Sequence, residues 1–190
     1  MWGPLMSYVR TFLPWIVFAA VPSTHWQWGA LAALLVAVVV VAQQRRTGVG
    51  FDALIMETGS AVFFAILAAV AFADPHSATH AYSAALSSAT LALIAGTSLL
   101  MGKPFTLGIA KRTTPPEVWR LKPFIRVNVV ITTVWTAAFG ATAVALAVLA
   151  HAGHGHSATA TLVQVLGFIV PVLFTVRYVA AAKTKATVGA

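Results

Sequence analysis

The chain has 190 residues, of which 59% are apolar and 8% are charged, and it carries a formal net charge of +8 at pH 7. A soluble core cannot enclose so large a share of apolar surface. The composition therefore excludes an ordinary globular protein and indicates a polytopic membrane protein. The sequence contains no cysteine, which excludes disulfides, thiolate metal sites and thiol redox chemistry.

Six apolar runs approach the length of a membrane-spanning helix, which needs about 20 residues. In chain order they cover residues 5–22, 27–42, 53–73, 80–101, 127–150 and 158–178. We therefore predict an all-α protein in which residues 1–190 form a single transmembrane domain. Its six helices would form three outward hairpins.

The first run resembles a signal peptide in outline, since Arg10 precedes a short apolar stretch. Residues 19–23 form a poor small-x-small cleavage site, however, and the second run follows almost at once. We expect a retained anchor, interrupted by Pro14, whose Arg10 reaches the cytoplasmic headgroups. The alternative is a half-inserted first segment, which would leave five spans.

Cationic residues and histidines fall on opposite sides of this six-run map. The twelve basic residues are Arg10, Arg45, Arg46, Lys103, Lys111, Arg112, Arg120, Lys122, Arg126, Arg177, Lys183 and Lys185. The six histidines are His25, His76, His80, His151, His154 and His156. Short loops rich in Lys and Arg stay cytoplasmic. We therefore predict a protein of the cytoplasmic (inner) membrane with both ends of the sequence in the cytoplasm and the histidines facing outward.

The connection at residues 102–126 is the longest one outside the apolar runs and carries half of the basic residues. Anionic lipid headgroups explain this charge better than nucleic acid does, and the aromatic residues between the cations favour a segment that lies on the membrane. Topology-fixing charge is the plain interpretation, and a dedicated lipid or partner site is the alternative. The residues concerned are Lys103, Lys111, Arg112, Trp119, Arg120, Lys122 and Arg126.

A local signal for a helix lies within this connection. Thr114, two prolines and Glu117 form a capping-box pattern with proline in the first turn. This pattern predicts a short helix that begins at Thr114 and ends before Pro123.

Glu57 lies about one helical turn inside the third apolar run, where an ionised carboxylate is costly. In a transporter it would bind a cation or a proton. In a scaffold it would pair with a cation, for which Arg45, Arg46 and Arg126 are the candidates. The shallow depth favours the structural pair, because water and headgroups remain accessible there.

The turn at residues 151–156 contains three histidines and two glycines. Imidazole is a good ligand for Zn or Cu, and an early start of the fourth helix would bring two further histidines to the same face. The plain interpretation is a solvated polar turn, and the alternatives are a metal site or a pH sensor. The candidate metal ligands are His151, His154, His156, His76 and His80.

The sequence lacks the patterns of an enzyme. We find no paired carboxylates in one cleft, no Ser-His-Asp set that the topology allows and no phosphate-binding glycine loop. Haem is not expected, because a haem held by two histidines needs them at matched depth on two helices. Of the histidines, only His80 and His151 meet a predicted span, and both do so at its end. Small residues spaced four apart, such as Ala92 with Gly96, are compatible with a compact bundle or a homo-oligomer.

Residues 101–139 contain Met-Gly-Lys-Pro-Phe-Thr-Leu at 101–107, Pro-Glu-Val-Trp-Arg at 116–120, then Arg126, Asn128 and the run from Trp135 to Phe139. In these motifs the stretch resembles the intracellular septation protein A family of small bacterial inner-membrane proteins. It implies a role in cell-envelope organisation or division as a membrane scaffold. It implies no cofactor and no catalytic residue.

These patterns together favour an accessory or scaffold protein of the cell envelope that acts through helix contacts and its cytoplasmic connection. Envelope or division proteins are its expected partners. The first alternative is a small oligomeric transporter or channel that uses Glu57. The second is an outward-facing metal-binding protein that uses the His-rich turn.

Overall fold

The computed structural model describes the backbone of residues 3–50 and 53–188, and the side chains of residues 6–50, 53–182 and 184. Within these ranges the chain forms seven α-helices and no β-strand. The helices are α1 (Gly3–Ala20), α2 (Trp26–Arg46), α3 (Ile55–Ala73), α4 (Thr79–Leu100), α5 (Phe105–Lys111), α6 (Lys122–His151) and α7 (Ala158–Val188). The predicted all-helical class is thus confirmed.

Five helical segments in the described ranges are long and apolar enough to cross a membrane. They are Ser23–Arg46, Ile55–Ala73, Thr79–Leu100, Lys122–His151 and Ala158–Ala182. The apolar part of α1, Met6–Ala20, is shorter. Large apolar side chains lie on the outside of the bundle, with Leu93 69% and Val144 67% exposed, which is the pattern of a surface that contacts lipid. The chain is therefore a membrane protein.

Helix α1 packs inside the bundle although it is short. Phe12 and Trp15 are both only 4% exposed. The ring of Phe12 stacks on that of Trp135 with centroids 4.9 Å apart, and it meets Phe168 edge to face at 5.5 Å. The buried rings of five residues and the partly buried ring of Phe168 form what we call the aromatic core: Phe12, Trp15, Phe64, Trp135, Phe139 and Phe168. Offset and edge-to-face ring pairs add to the stabilisation from apolar burial, so α1 is tied to α6 and α7.

The ends of the bundle differ in composition. The turns that connect α1 with α2, α3 with α4 and α6 with α7 contain or adjoin all six histidines, and we call this the histidine end. The opposite end holds the connections that follow α2 and α4, with their arginines and lysines, and we call it the basic end. The side chains of Lys183 and Lys185, which we also assigned to this side, lie outside the described residues.

The connection between α4 and α6 differs from its prediction. A helix beginning at Thr114 is wrong: that stretch forms only one 3₁₀ turn, Pro116–Val118. The helix of this connection is α5, which begins after Pro104 and buries Phe105 and Ile109 to 4% and 2% exposure. One capped turn at the surface contributes little free energy, whereas burying the apolar face of α5 in the bundle contributes more. Tertiary packing rather than the capping pattern therefore decides where the helix of this connection forms. The first half of the connection therefore does not lie on the membrane surface.

Candidate functional site at the basic end

Buried polar side chains hold α5 in the mouth of the bundle at the basic end. Thr106 Oγ1 donates to the Asn128 carbonyl at 2.9 Å and lies 2.8 Å from Thr132 Oγ1. At the start of α5, the Phe105 amide donates to Ser98 Oγ at 3.0 Å. Buried polar groups are stabilising only when they are hydrogen-bonded, and these contacts satisfy them. They fix α5 against both α4 and α6.

Glu57 occupies the first turn of α3 and is only 2% exposed. Its Oε1 accepts hydrogen bonds from three helices or their ends. Thr11 Oγ1 donates at 2.7 Å, Gln44 Nε2 at 3.3 Å and Arg112 Nη2 at 2.9 Å. The contact with Arg112 is the one ion pair among the described residues. Glu57 thus joins α1, α2, α3 and the end of α5.

The expectation that Glu57 pairs with a cation is met, but the predicted partners Arg45, Arg46 and Arg126 are wrong. Arg112 is the partner of Glu57 because α5 turns back into the bundle. Arg112 directly follows the last turn of α5, which brings it to the start of α3. Arg112 Nη2 also donates to the Ala53 carbonyl at 3.1 Å, beside the carboxylate. Pairing across a tertiary contact leaves no periodic signal in the sequence.

Gly108 allows this approach. A methyl group on Gly108 would lie 3.0 Å from the Ala53 carbonyl oxygen and 3.2 Å from Ala53 Cα. These contacts are tighter than most real Cβ contacts, and backbone atoms do not move aside as readily as a flexible side chain, so glycine suits this position. The glycine therefore lets α5 lie close to the start of α3, where Arg112 meets Glu57.

The interior beyond Glu57 is apolar along α3. One turn further, Trp15 Nε1 donates to Ser60 Oγ at 2.8 Å. Past Ser60, the buried positions of α3 are Phe64, Leu67, Ala68 and Ala71. The Trp15 and Phe64 rings, both buried, lie 4.7 Å apart in this apolar layer. Glu57 therefore sits in a closed layer rather than on a polar path along its helix.

The other basic residues of the connection remain at the surface. Lys111 Nζ lies 5.3 Å from the ring centre of Trp119, whose Nε1 donates to the Thr114 carbonyl at 2.9 Å. These contacts order the stretch between α5 and α6. The predicted lipid or partner residues that are exposed are Lys103, Arg120, Lys122 and Arg126. Arg112 alone of that predicted set is turned into the protein, with a side chain 15% exposed.

At the histidine end, His80 and His156 come together. Their ring centroids are 4.5 Å apart, and His80 also stacks on Trp26 at 5.2 Å. His80 Nε2 lies 2.8 Å from the Ser23 carbonyl, to which it donates, and Trp26 Nε1 donates to the Pro75 carbonyl at 3.1 Å. These contacts join the turn before α2 to the starts of α4 and α7.

The structure brings together only two of the five predicted metal ligands. His76, His151 and His154 are exposed and do not join the pair. In the part of the chain that the structure describes, no group of three or more His, Asp or Glu side chains is placed to hold a metal ion. Burial and the neighbouring His80 charge both lower the pKa of His156, partly offset by a contact with the His80 backbone that raises it. His156 thus favours the neutral imidazole, the form that meets the neighbouring ring without charge repulsion.

Comparison of the chain with family models, with curated proteins and with solved structures finds no match. The resemblance of residues 101–139 to the septation protein A family therefore stays a prediction.

Sequence reasoning missed Thr11 and Gln44 as partners of Glu57, because each is an ordinary polar residue whose role depends on the helix packed against it.

Proposed function

We propose that this protein is a non-catalytic component of the cytoplasmic membrane that acts as an accessory or scaffold of the cell envelope. The observation that carries the proposal is the Glu57–Arg112 pair, in which the two side chains are 2% and 15% exposed. A carboxylate committed to a guanidinium and two further donors is a structural group. It is poorly suited to binding and releasing a transported ion.

The proposal includes six spans, with α1 as the sixth. Its support is the burial of Phe12 and Trp15, which places α1 among the other helices, and the separation of arginines and histidines to opposite ends of the bundle. With Lys- and Arg-rich turns on the cytoplasmic side, both ends of the sequence lie in the cytoplasm.

The topology can be tested cleanly because the chain contains no cysteine. Single-cysteine variants at Arg120 and His154 are treated in intact cells with a thiol reagent that does not cross the membrane. We expect labelling at position 154 alone. Labelling at position 120 from outside would contradict the proposed orientation.

The proposed contact surface is the exposed basic part of the connection, formed by Arg120, Lys122 and Arg126. Two features support it: α5 is fixed in the bundle by buried contacts, and the Lys111–Trp119 contact orders the chain that follows. A rigid basic surface at the membrane suits acidic patches of a partner protein and anionic headgroups. The septation resemblance favours envelope or division proteins as partners.

The partner proposal is tested by crosslinking in living cells followed by mass spectrometry. The variant changes Arg120, Lys122 and Arg126 to Glu, and the control changes Arg46, Lys183 and Lys185 to Glu, which alters the net charge equally. We expect specific envelope proteins to crosslink with the wild type and the control but not with the variant. Equal crosslinking by all three proteins would contradict the contact surface.

Transport is tested with the purified protein in liposomes. We expect proton and monovalent-cation flux no greater than that of empty liposomes, because Glu57 is paired with Arg112 and the buried positions that follow Ser60 on α3 are apolar. A flux that Glu57→Gln abolishes, while Arg126→Gln leaves it unchanged, would replace the scaffold with a transporter.

A further inference from the structure

A cavity at the basic end lies between the first turns of α1 and the last turn of α2. It has a volume of about 370 Å³ and is lined by Ser7, Arg10, Gln44, Thr47, Val49 and Arg112. That volume falls within the usual range of small-ligand sites, about 300–1,000 Å³. The proposed contact surface at Arg120, Lys122 and Arg126 contributes no residue to it.

The cavity is positively charged. It contains two guanidinium groups, and among the described residues no carboxylate lines it. Glu57 neutralises Arg112 from within the protein, at 2.9 Å. Arg10 is held only by a neutral acceptor, Gln43 Oε1, at 2.6 Å. One positive charge therefore remains uncompensated by the side chains that line the cavity.

The cavity also offers more hydrogen-bond donors than its own residues use. Arg112 Nε is buried and donates to no acceptor among the described residues. Arg10 has five N–H groups, of which the contact with Gln43 accounts for one. Arg10, which is exposed, thus keeps donors for a ligand that accepts several hydrogen bonds. The donor set selects an anion with several oxygens rather than a cation or an apolar molecule.

In the proposed orientation the cavity lies at the level of the lipid phosphates. Ser7 and Arg10 precede Thr11 and Phe12 on α1, which are buried at 0% and 4% exposure at the inner edge of the aromatic core. Thr47 and Val49 follow the end of α2. The cavity thus opens beyond the apolar interior, where headgroups and dissolved ions both reach it.

We propose that this cavity binds a phosphate group, with Arg10 as its principal contact and Arg112 as a second cation fixed in place by Glu57. Arginine is suited to this ligand because its planar fork of donors matches phosphate oxygens. The phosphate belongs to the headgroup of an anionic lipid or is free in solution. The site goes beyond the proposed scaffold role and does not depend on it.

The test uses the full chain in two settings. Calorimetry in a neutral detergent measures the binding of inorganic phosphate. Native mass spectrometry of the protein in mixed lipid measures retained phosphatidylglycerol against phosphatidylcholine. Binding of inorganic phosphate identifies a soluble ligand, and retention of phosphatidylglycerol alone identifies a headgroup site.

The decisive variant is Arg10→Gln, since Arg10 is exposed and lies outside the buried ion pair. We expect binding to weaken about tenfold, as for the loss of one charge-assisted hydrogen bond. Arg10→Lys should recover part of the affinity. Arg120→Gln removes an equally exposed arginine outside the cavity and should bind as the wild type does.

Thr47→Val is a second variant, which changes the lining without changing the charge, and we expect a smaller loss of affinity. The proposal is wrong if neither phosphate nor phosphatidylglycerol binds. It is also wrong if Arg10→Gln binds as tightly as the wild type, or if Arg120→Gln weakens binding to the same extent.

Discussion

The two ends of the bundle use similar contacts in different chemical settings. At each end a glycine lies against a backbone carbonyl: a methyl group on Gly108 would be 3.0 Å from the Ala53 oxygen, and one on Gly155 would be 2.5 Å from the Ala81 oxygen. The basic end then adds a buried ion pair, whereas the histidine end adds a contact between two imidazole rings close to water. Permanent charges must be paired once they are buried, while imidazole can lose its proton and remain at the surface.

This difference predicts that the basic end contributes most of the stability that single polar substitutions can remove. We expect Glu57→Gln to lower the free energy of unfolding by about 3–5 kcal/mol, because it leaves the Arg112 guanidinium partly buried without its counter-charge. The measurement is unfolding of the purified protein by titration with a denaturing detergent, followed by tryptophan fluorescence.

The double variant Glu57→Gln, Arg112→Gln should be more stable than Glu57→Gln alone, since a neutral pair leaves no unpaired charge. The control Arg126→Gln removes an exposed cation at the same end and should change stability by less than about 0.5 kcal/mol. If the stability change of the double variant equalled the sum of the changes in Glu57→Gln and Arg112→Gln, the pair would not couple the helices as described.

The second prediction concerns the glycine contact of α5. We expect Gly108→Ala to destabilise the protein by about 1–3 kcal/mol, because the new methyl group meets the backbone of Ala53. The matched control is Gly140→Ala in α6, where no atom lies within 4 Å of the added carbon. That change should be neutral or stabilising by up to about 1 kcal/mol, the difference in helix propensity.

Gly155→Ala makes the equivalent change at the histidine end. We expect a loss at least as large as for Gly108→Ala, because the added methyl group would lie 2.5 Å from the Ala81 carbonyl oxygen, a backbone atom of α4. A smaller loss would mean that the turn between α6 and α7 shifts to make room for the methyl group.

The third prediction concerns pH. The pKa of His156 is lower in the folded protein than its ordinary value of 6.5, so the unfolded chain binds a proton more readily. The contribution of His156 to stability is therefore complete above about pH 6.5 and declines as the pH falls below it. We expect the melting temperature to fall less on acidification in His156→Gln than in the wild type. His154→Gln is the control, since the His154 ring meets no other ring in the part of the chain that the structure describes, and it should follow the wild type.

The smallest expected effect is that of metal ions. Calorimetry with Zn²⁺ and Cu²⁺ should give the same weak heats for the wild type and for a variant in which His151, His154 and His156 are Ala, since only one of these three approaches another histidine. A saturable heat of the wild type that the variant lacks would restore the metal-binding alternative.

Much of the fold followed from the sequence, whereas the central contact of the candidate site did not. The sequence places the start of the third apolar run at residue 53, and α3 starts at Ile55, only two residues later. The agreement is close because the apolar run itself defines the helix. The predicted helix at Thr114 failed because the capping pattern describes one turn and carries no information on where Phe105 and Ile109 can be buried. Glu57 could be singled out as an intramembrane acid, but its partner could not.

The sequence alone determined the class of protein, the approximate helices and the assignment of cations and histidines to opposite ends, because hydropathy and loop charge act locally along the chain. Only the tertiary structure decided that α5 enters the bundle, that Arg112 rather than Arg126 meets Glu57, and that His80 meets His156. These outcomes depend on how closely two distant segments can approach. That distance is set by packing at residues such as Gly108, which no local pattern records.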